Sequence, residues 1–118
     1  MANEISFSTS MSAAKNSATV SGSFSKTKDM SGDQMITNVQ AIGTSNEAIV
    51  LGDISLPGVV MFKNMDATNY IELALDSSTT QVFSKLLAGE STLVHAVAAI
   101  YARANTASCN LLVVAAED

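Results

Sequence analysis

A strict alternation of apolar and hydroxyl-bearing residues at the start of the chain constrains the fold most. The segment EISFSTSM, residues 4–11, places Ile, Phe and Met on one side and serines on the other. The segment ATVSGSFS, residues 18–25, repeats the pattern with Ala, Val and Phe against Thr and serines. Apolar residues at every second position, with hydroxyl residues on the solvent-facing side, are typical of half-buried antiparallel strands. The intervening AKNS predicts a hairpin turn.

Further strands are predicted at intervals near ten residues. VVMF is apolar on both faces, as expected of a central strand, and YIELAL places Ile71, Leu73 and Leu75 inward. The segment SKTKDMSGDQ, residues 25–34, is polar and rich in turn formers, which predicts an exposed loop. The predicted strands are QMITNVQAI (34–42), EAIVL (47–51), VVMF (59–62), YIELAL (70–75), QVFSKLL (81–87) and CNLLVVAA (109–116).

One segment, ESTLVHAVAAIYARA (residues 90–104), fits either a helix or two strands. Its apolar residues recur at helical spacing, and its alanines favour a helix. The strand interpretation gives STLVHA and IYARA with a bend near Ala98 and Ala99. We choose strands, because short strands dominate the rest of the chain.

These patterns predict an all-β fold, an antiparallel β-sandwich of jelly-roll-like type. The 118 residues fit one domain, and the chain shows no internal repeat and no linker. We therefore expect a single domain over residues 1–118, with residues 1–25 as a candidate extended N-terminal arm.

Composition and charge exclude several classes of function. Charged residues make up 14% of the chain, against ~25% in typical globular proteins. The net charge is −5 and the six basic residues are dispersed, which argues against nucleic-acid binding. No apolar run reaches the ~18 residues of a membrane helix, and MANEISFSTS lacks the pattern of a secretory signal. Removing water from a polar but weakly charged surface costs little free energy, because burying a hydroxyl or amide costs far less than burying an ion. This composition therefore indicates contact with other proteins.

Residues that carry chemistry are few. His95 is the only histidine and lies among apolar residues, so we predict that it is buried and structural. Cys109 is the only cysteine, which predicts a buried thiol and no intrachain disulfide. Asp29 and Asp33 lack the twelve-residue pattern of a calcium loop, and no nucleophile elbow or phosphate-binding glycine loop occurs. We expect no catalytic residue, no cofactor and no metal.

The polar segment KNMDATN, residues 63–69, allows two interpretations. Its acidic and amide side chains suit a metal or anion site, but they also bond to neighbouring backbone amides in turns. Because the segment connects two predicted strands, we interpret it as a structural corner formed by Asn64, Asp66, Thr68 and Asn69.

The stretch GVVMFKNMDATNYIELAL resembles a group of small accessory virion proteins of tailed bacteriophages. The shared order is Gly, an apolar strand, Lys-Asn-x-Asp, Thr-Asn and an alternating strand. The segments QAIGTSNEAIVLGDI, KLLAGESTLV, IYARANTA and LLVVAAED are also similar, so the resemblance covers residues 40–118 or so.

The resemblance implies a non-enzymatic structural protein of the virion, made in the cytoplasm of the host bacterium. We expect a capsid decoration or cement protein that binds the major capsid protein or other virion proteins as a homo-oligomer, with a trimer as first choice. The candidate partner-contact loop contains Lys26, Lys28, Asp29 and Asp33.

Three alternatives stay open. The first is a neck- or tail-associated adaptor protein. The second is a carbohydrate-binding β-sandwich, for which Tyr70 and Tyr101 are the available tyrosines and tryptophan is absent. The third is a small jelly-roll enzyme, which would need a cluster of histidines.

Overall fold

The computed structural model describes residues 4–30, 32–54, 57–78, 81–96 and 98–117, and over these residues the chain is all-β. Every strand pairing is antiparallel. The strands are β1 (Ile5–Lys15), β2 (Ala18–Lys28), β3 (Met35–Ile42), β4 (Glu47–Ala48), β5 (Pro57–Asn64), β6 (Ile71–Ala74), β7 (Val82–Leu86), β8 (Ser91–His95), β9 (Tyr101–Ala104) and β10 (Cys109–Glu117).

The chain divides into two compact units, Met1–Ser31 and Gly32–Asp118. The first unit contains the hairpin of β1 and β2, in which all eleven residues of each strand are paired, from Ile5 with Lys28 to Lys15 with Ala18. Asn16 opens the two-residue turn with φ of 56°. A positive φ at this position is what a two-residue hairpin turn requires, and asparagine tolerates it better than most residues do.

The second unit, called the sandwich unit below, contains two four-stranded sheets. One has the order β3-β10-β5-β8 and the other the order β4-β9-β6-β7. The core lies between them, because alternate residues of the central strands are fully buried: Val60, Phe62, Ile71, Leu73, Leu111 and Val113. The antiparallel β-sandwich that the alternation predicts is therefore present, and VVMF does lie in a central strand.

The structure also decides the ambiguous segment of residues 90–104. It forms β8 and β9, with a bend at Ala98 and no regular structure at Ala99, so the choice of strands is confirmed. The buried position of Cys109 is confirmed as well, and its thiol donates a hydrogen bond to the carbonyl of Ala107 at 3.4 Å.

Three expectations are wrong. Residues 25–28 are not in a loop, because β2 continues to Lys28 and stays paired with β1. Leu75 is exposed rather than inward, since β6 ends at Ala74 and its register against β7 shifts between Leu73 and Ala74. His95 is exposed rather than buried, because it ends β8, an edge strand.

Candidate functional site

Asn64 is the buried centre of the polar corner predicted from the sequence. Its Nδ2 donates hydrogen bonds to the carbonyls of Asn69 at 2.8 Å and Leu86 at 2.9 Å. Its Oδ1 accepts the backbone N–H of Asp66 at 2.9 Å. One side chain thereby connects the end of β5, the segment before β6 and the end of β7.

Asp66 stabilises the same turn from a more exposed position. Its Oδ2 accepts the backbone N–H groups of Thr68 at 2.9 Å and Asn69 at 2.7 Å. Hydrogen bonds to the charged form favour it, so the N–H groups of Asn69 and Thr68 lower the pKa of the Asp66 carboxyl from its ordinary value.

Asn105 and Thr106, which the sequence reasoning did not include, belong to the same corner. The Oδ1 of Asn105 accepts the N–H of Tyr70 at 2.9 Å, and the hydroxyl of Thr106 donates to Oδ1 of Asn69 at 2.8 Å. The signal was present in IYARANTA, because Asn-Thr directly after an alternating strand is the same turn chemistry as Thr-Asn before Tyr70.

The four predicted corner residues therefore lie together, and their side-chain or backbone groups bond to one another and to the β9–β10 connection. The acceptor oxygens of Asn64 and Asp66 that contact this turn receive backbone N–H groups. Within the described part of the chain, no group of three or more His, Cys, Asp or Glu side chains is arranged to hold a metal ion.

The four residues of the candidate partner-contact loop do not share one loop. Lys26 and Lys28 lie on strand β2, whereas Asp29 and Asp33 lie in the connection between β2 and β3. Lys26, Asp29 and Asp33 are exposed and Lys28 is partly buried. The candidate contact residues are thus divided between strand β2 and the connection that follows it.

The hairpin has two chemically different faces. The cross-strand register places Phe7 beside Lys26 and Met11 beside Gly22 on one face, and Ser8 beside Ser25 on the other. We call the first the apolar hairpin face; its members are Ile5, Phe7, Thr9, Met11, Ala13, Lys15, Ala18, Val20, Gly22, Phe24, Lys26 and Lys28. The opposite, hydroxyl hairpin face contains Ser6, Ser8, Ser10, Ser12, Ala14, Thr19, Ser21, Ser23, Ser25 and Thr27.

The sheet β3-β10-β5-β8 presents a second apolar surface on the side away from the core. The register aligns Val39 with Leu112 and Lys63 in one row, and Thr37, Val114, Met61 and Leu93 in the next. These side chains are exposed or half-buried in the single chain. We call this surface the apolar sheet face; its apolar members are Met35, Val39, Met61, Leu93, Leu112 and Val114, and the exposed Lys63 lies beside Leu112.

The outer side of the other sheet is charged instead. Arg103 of β9 donates to the carboxylate of Glu72 of β6 at 2.8 Å, and Lys85 of β7 is the cross-strand neighbour of Glu72. The ammonium of Lys85 also lies 4.2 Å from the centroid of the Tyr70 ring. Because these groups are partly solvated, each contact contributes little to stability.

Comparisons with protein-family models, curated proteins and solved structures find no match for this chain. Among the described residues, no helix occurs that has the length and apolarity needed to cross a membrane.

Proposed function

We propose that the protein is a structural component of a tailed-bacteriophage virion, a head decoration or cement protein that acts through protein–protein contacts. The phage assignment is supported by the sequence resemblance over residues 40–118 or so. The assignment to contact rather than chemistry is supported by the two apolar faces. A neck- or tail-associated adaptor would use the same surfaces, so the particle fraction that binds the protein distinguishes the two roles.

The observation that carries the proposal is the exposure of the apolar hairpin face. Phe24 is 74% exposed and Met11 67% exposed, on a hairpin whose opposite face is almost entirely hydroxyl-bearing. Contiguous apolar surface rimmed by polar residues marks sites of protein association. A surface of this kind fits a protein that works in an assembled state.

The sandwich unit supplies the rigidity that such a role needs. The side chain of Asn64 connects the end of β5, the segment before β6 and the end of β7 by hydrogen bonds. The hydrophobic core is enclosed between the two sheets. A homo-oligomer, with a trimer as our first choice, would present several copies of one small contact to the shell. Repeated contacts raise the overall affinity by avidity, without a large single interface.

Co-sedimentation of the purified full-length protein with undecorated phage heads tests the proposal. We expect saturable binding to undecorated heads and none to heads that already carry their full complement of the protein. Binding to tails or neck complexes alone would replace the head assignment by the adaptor role. Binding to no particle fraction would refute the virion proposal, and a glycan array would then test the carbohydrate-binding alternative.

A charge variant in the connection between β2 and β3 sharpens the same assay. We expect Asp29→Lys to weaken attachment to heads, because Asp29 is exposed beside the end of the hairpin. Asp53→Lys is the matched control, since Asp53 is also an exposed aspartate but follows β4 in the sandwich unit. Equal binding by the two variants would remove this connection from the contact surface.

A further inference from the structure

We propose that the outer edge of strand β1 pairs with β1 of a second copy, antiparallel and about a two-fold axis, so that two hairpins form one four-stranded sheet. The pairing joins copies two at a time, whereas the trimer considered above needs a different contact. The inference goes beyond the virion role, because it concerns self-association in solution and stands whether or not the protein binds phage heads.

The outer edge of β1 is open to strand addition. The strand is eleven residues long, and within the described part of the chain it pairs with β2 alone. Residues 5–14, ISFSTSMSAA, contain no charged residue, no glycine and no proline. All residues of β1 except Ile5 and Phe7 are exposed. A long, uncharged edge strand presents a row of backbone N–H and C=O groups with which another strand can pair.

The other edge of the hairpin is protected. Strand β2 carries Lys26 and Lys28 near its end and Gly22 in its middle, whereas the only charged residue of β1 is Lys15 at its last position. Lysines on an edge strand disfavour strand addition, and glycine weakens a strand. The hairpin therefore has one open edge and one protected edge.

This asymmetry identifies the partner as a second copy of β1. Pairing two β1 strands uses both open edges and leaves the two protected β2 edges outside, so the assembly stops at four strands. Pairing β1 with β2 of another copy would place a lysine-bearing edge inside the sheet and leave an open edge at every step. A contact of that second kind continues as an open ribbon, whereas the two-fold contact closes.

The hairpin also gains more from added strands than the sandwich unit does. A two-stranded hairpin is marginally stable by itself, and three or more strands with an apolar face are needed for independent stability. Strand β3 also has an uncharged outer edge, but it lies in a four-stranded sheet over a buried core. Strand β1 lies in a sheet of two strands. A second hairpin supplies the strands that this sheet lacks.

The register of the hairpin determines which backbone groups point outward. Lys15 and Ala18 flank the two-residue turn, which makes them a hydrogen-bonded pair. Hydrogen-bonded and non-hydrogen-bonded pairs alternate along antiparallel strands, so the odd-numbered residues of β1 direct their N–H and C=O groups to β2. The even-numbered residues direct these groups outward: Ser6, Ser8, Ser10, Ser12 and Ala14.

A two-fold axis at Ser10 satisfies all of these outward groups. It pairs Ser10 with Ser10 of the second copy, Ser8 with Ser12, and Ser6 with Ala14. Because each hydrogen-bonded pair exchanges two bonds, the contact contains about ten backbone hydrogen bonds. Main-chain hydrogen bonds are the main source of affinity when one strand adds to another.

The same register keeps the two faces of the hairpin continuous across the contact. Odd-numbered residues lie opposite odd-numbered residues, so the apolar hairpin faces of the two copies join. Phe7 lies opposite Ala13 and Met11 opposite Thr9, so each long side chain meets a shorter one. Cross-strand pairs of this kind add to the stability of a sheet.

Charge permits the contact. Lys15 lies at each end of it, opposite Ile5 of the other copy, and Lys28 is the neighbour of Ile5 on the other side. Two strand spacings separate these lysines by about 10 Å, close to the screening length at physiological salt. Glu4, of opposite charge, is adjacent to Ile5 in the sequence. The repulsion at each end is therefore small, and the rest of the contact is uncharged.

Oligomeric state as a function of concentration is the first test, measured by sedimentation velocity on the full-length protein. A two-fold contact gives assemblies with an even number of copies, and we expect them to dissociate on dilution. A wild-type protein that stays monomeric at the highest concentration measured, or that forms trimers alone, overturns the inference. Neither outcome bears on binding to phage heads, which co-sedimentation tests separately.

Proline substitutions distinguish the two edges. Ser10 and Ser23 are cross-strand partners, and both direct their backbone N–H groups away from the hairpin. Proline removes that N–H, and edge strands tolerate it. We expect Ser10→Pro to raise the dissociation constant of the two-fold contact roughly tenfold or more, the equivalent of about 1.4 kcal/mol. Ser23→Pro is the matched control and should change it little; equal effects of the two variants overturn the inference.

Lysine at the same two positions tests the edge without changing the backbone. Ser10→Lys places two positive charges beside each other at the axis, at a Cα separation of about 5.5 Å, so it should also weaken association. Ser23→Lys adds the same charge to the outer edge and should not. Unchanged association of Ser10→Lys overturns the inference.

Disulfide formation tests the axis and the strand direction. The Cα separation of about 5.5 Å expected at the axis lies within the range of a disulfide. With oxidised glutathione, we expect Ser10→Cys to link to itself far faster than Ser23→Cys, and Ser8→Cys to link to Ser12→Cys in a mixture. The native Cys109 is buried in every variant. Links of Ser8→Cys only to itself would indicate a parallel contact and overturn the inference, as would faster linking of Ser23→Cys.

Discussion

Phe24 of the hairpin and Phe62 of the sandwich unit both lie on the apolar side of an antiparallel strand. Phe24 is 74% exposed, whereas Phe62 is fully buried between two sheets. Both residues are paired in antiparallel strands, Phe24 with Thr9, and Phe62 with Val113 and Thr92. The difference therefore does not arise from strand formation.

The comparison shows that alternation specifies which side of a strand is apolar, but not what covers it. In the sandwich unit the cover comes from residues far away in sequence, since β5 and β10 face a sheet of β4, β9, β6 and β7. The hairpin pairs only with itself, and its face has no second sheet within its own unit. The local sequence pattern is sufficient to form the paired strands of the hairpin. A buried core requires packing between segments that are distant in the sequence.

The largest expected effect separates the two phenylalanines. Phe62→Ala should destabilise the sandwich unit by about 3–5 kcal/mol, because it removes a buried ring and leaves a cavity. Phe24→Ala should change the free energy of unfolding of the dilute monomer by less than about 0.5 kcal/mol. Urea unfolding at low protein concentration, where the protein is monomeric, measures the change in the free energy of unfolding for each variant. Similar losses for the two variants would show that Phe24 is covered within the single chain.

Asn64 and Asn110 give a similar contrast among polar side chains. Asn64→Ala should cost about 2–3 kcal/mol, since it leaves the carbonyls of Asn69 and Leu86 and the N–H of Asp66 without their side-chain partner. Asn110→Ala is the control, because Asn110 is exposed on β10. Thermal unfolding of both variants is the measurement. A loss at Asn64 no larger than at Asn110 would contradict the central role of Asn64 in the corner.

Much of the fold was predictable from the sequence, because period two, hydroxyl faces and turn residues are local signals. They predicted the strands at Met35–Ile42, Val82–Leu86 and Cys109–Glu117 within one or two residues. For residues 90–104 the local spacing and the alanine content favoured a helix, and strands were chosen because of the strands around them; pairing with other strands prevailed. The polar corner was recognisable for the same reason, since Asn and Asp bond to nearby backbone groups.

The remaining features depend on contacts that local pattern does not contain. Leu75 alternates with Leu73, but a register shift against β7 ends the alternation, and such shifts are set by the partner strand. His95 has apolar neighbours, but β8 lies at the edge of its sheet. The turn-rich composition after Phe24 suggested a loop, whereas pairing with β1 keeps residues 25–28 in a strand. The apolar sheet face became visible only when the strand order placed distant residues side by side.

A smaller effect is expected at the hairpin turn. Asn16 adopts φ of 56°, a conformation that costs a residue such as alanine about 1–2 kcal/mol. Asn16→Ala should therefore weaken the hairpin by about 1 kcal/mol, and Asn16→Gly should preserve it. Amide hydrogen exchange across β1 and β2 measures the effect, with the sandwich amides as internal reference. Faster exchange in both units would contradict the division into two units.

The smallest expected effect concerns pH and lies in the sandwich unit, which has the polar corner. Asp66 accepts two backbone N–H groups in the folded state, so its pKa lies below the ordinary value of 3.8. A carboxyl with a lowered folded-state pKa adds stability above its unfolded pKa, and this contribution is lost as the pH falls through the folded pKa. Asp66→Asn should therefore be less stable than the wild type at neutral pH, and the difference should shrink below pH 3.8 or so.

Urea unfolding of both proteins across this range is the measurement, with Asp53→Asn as an exposed control. A difference that stays constant down to the lowest pH would show that the charge of Asp66 does not stabilise the corner.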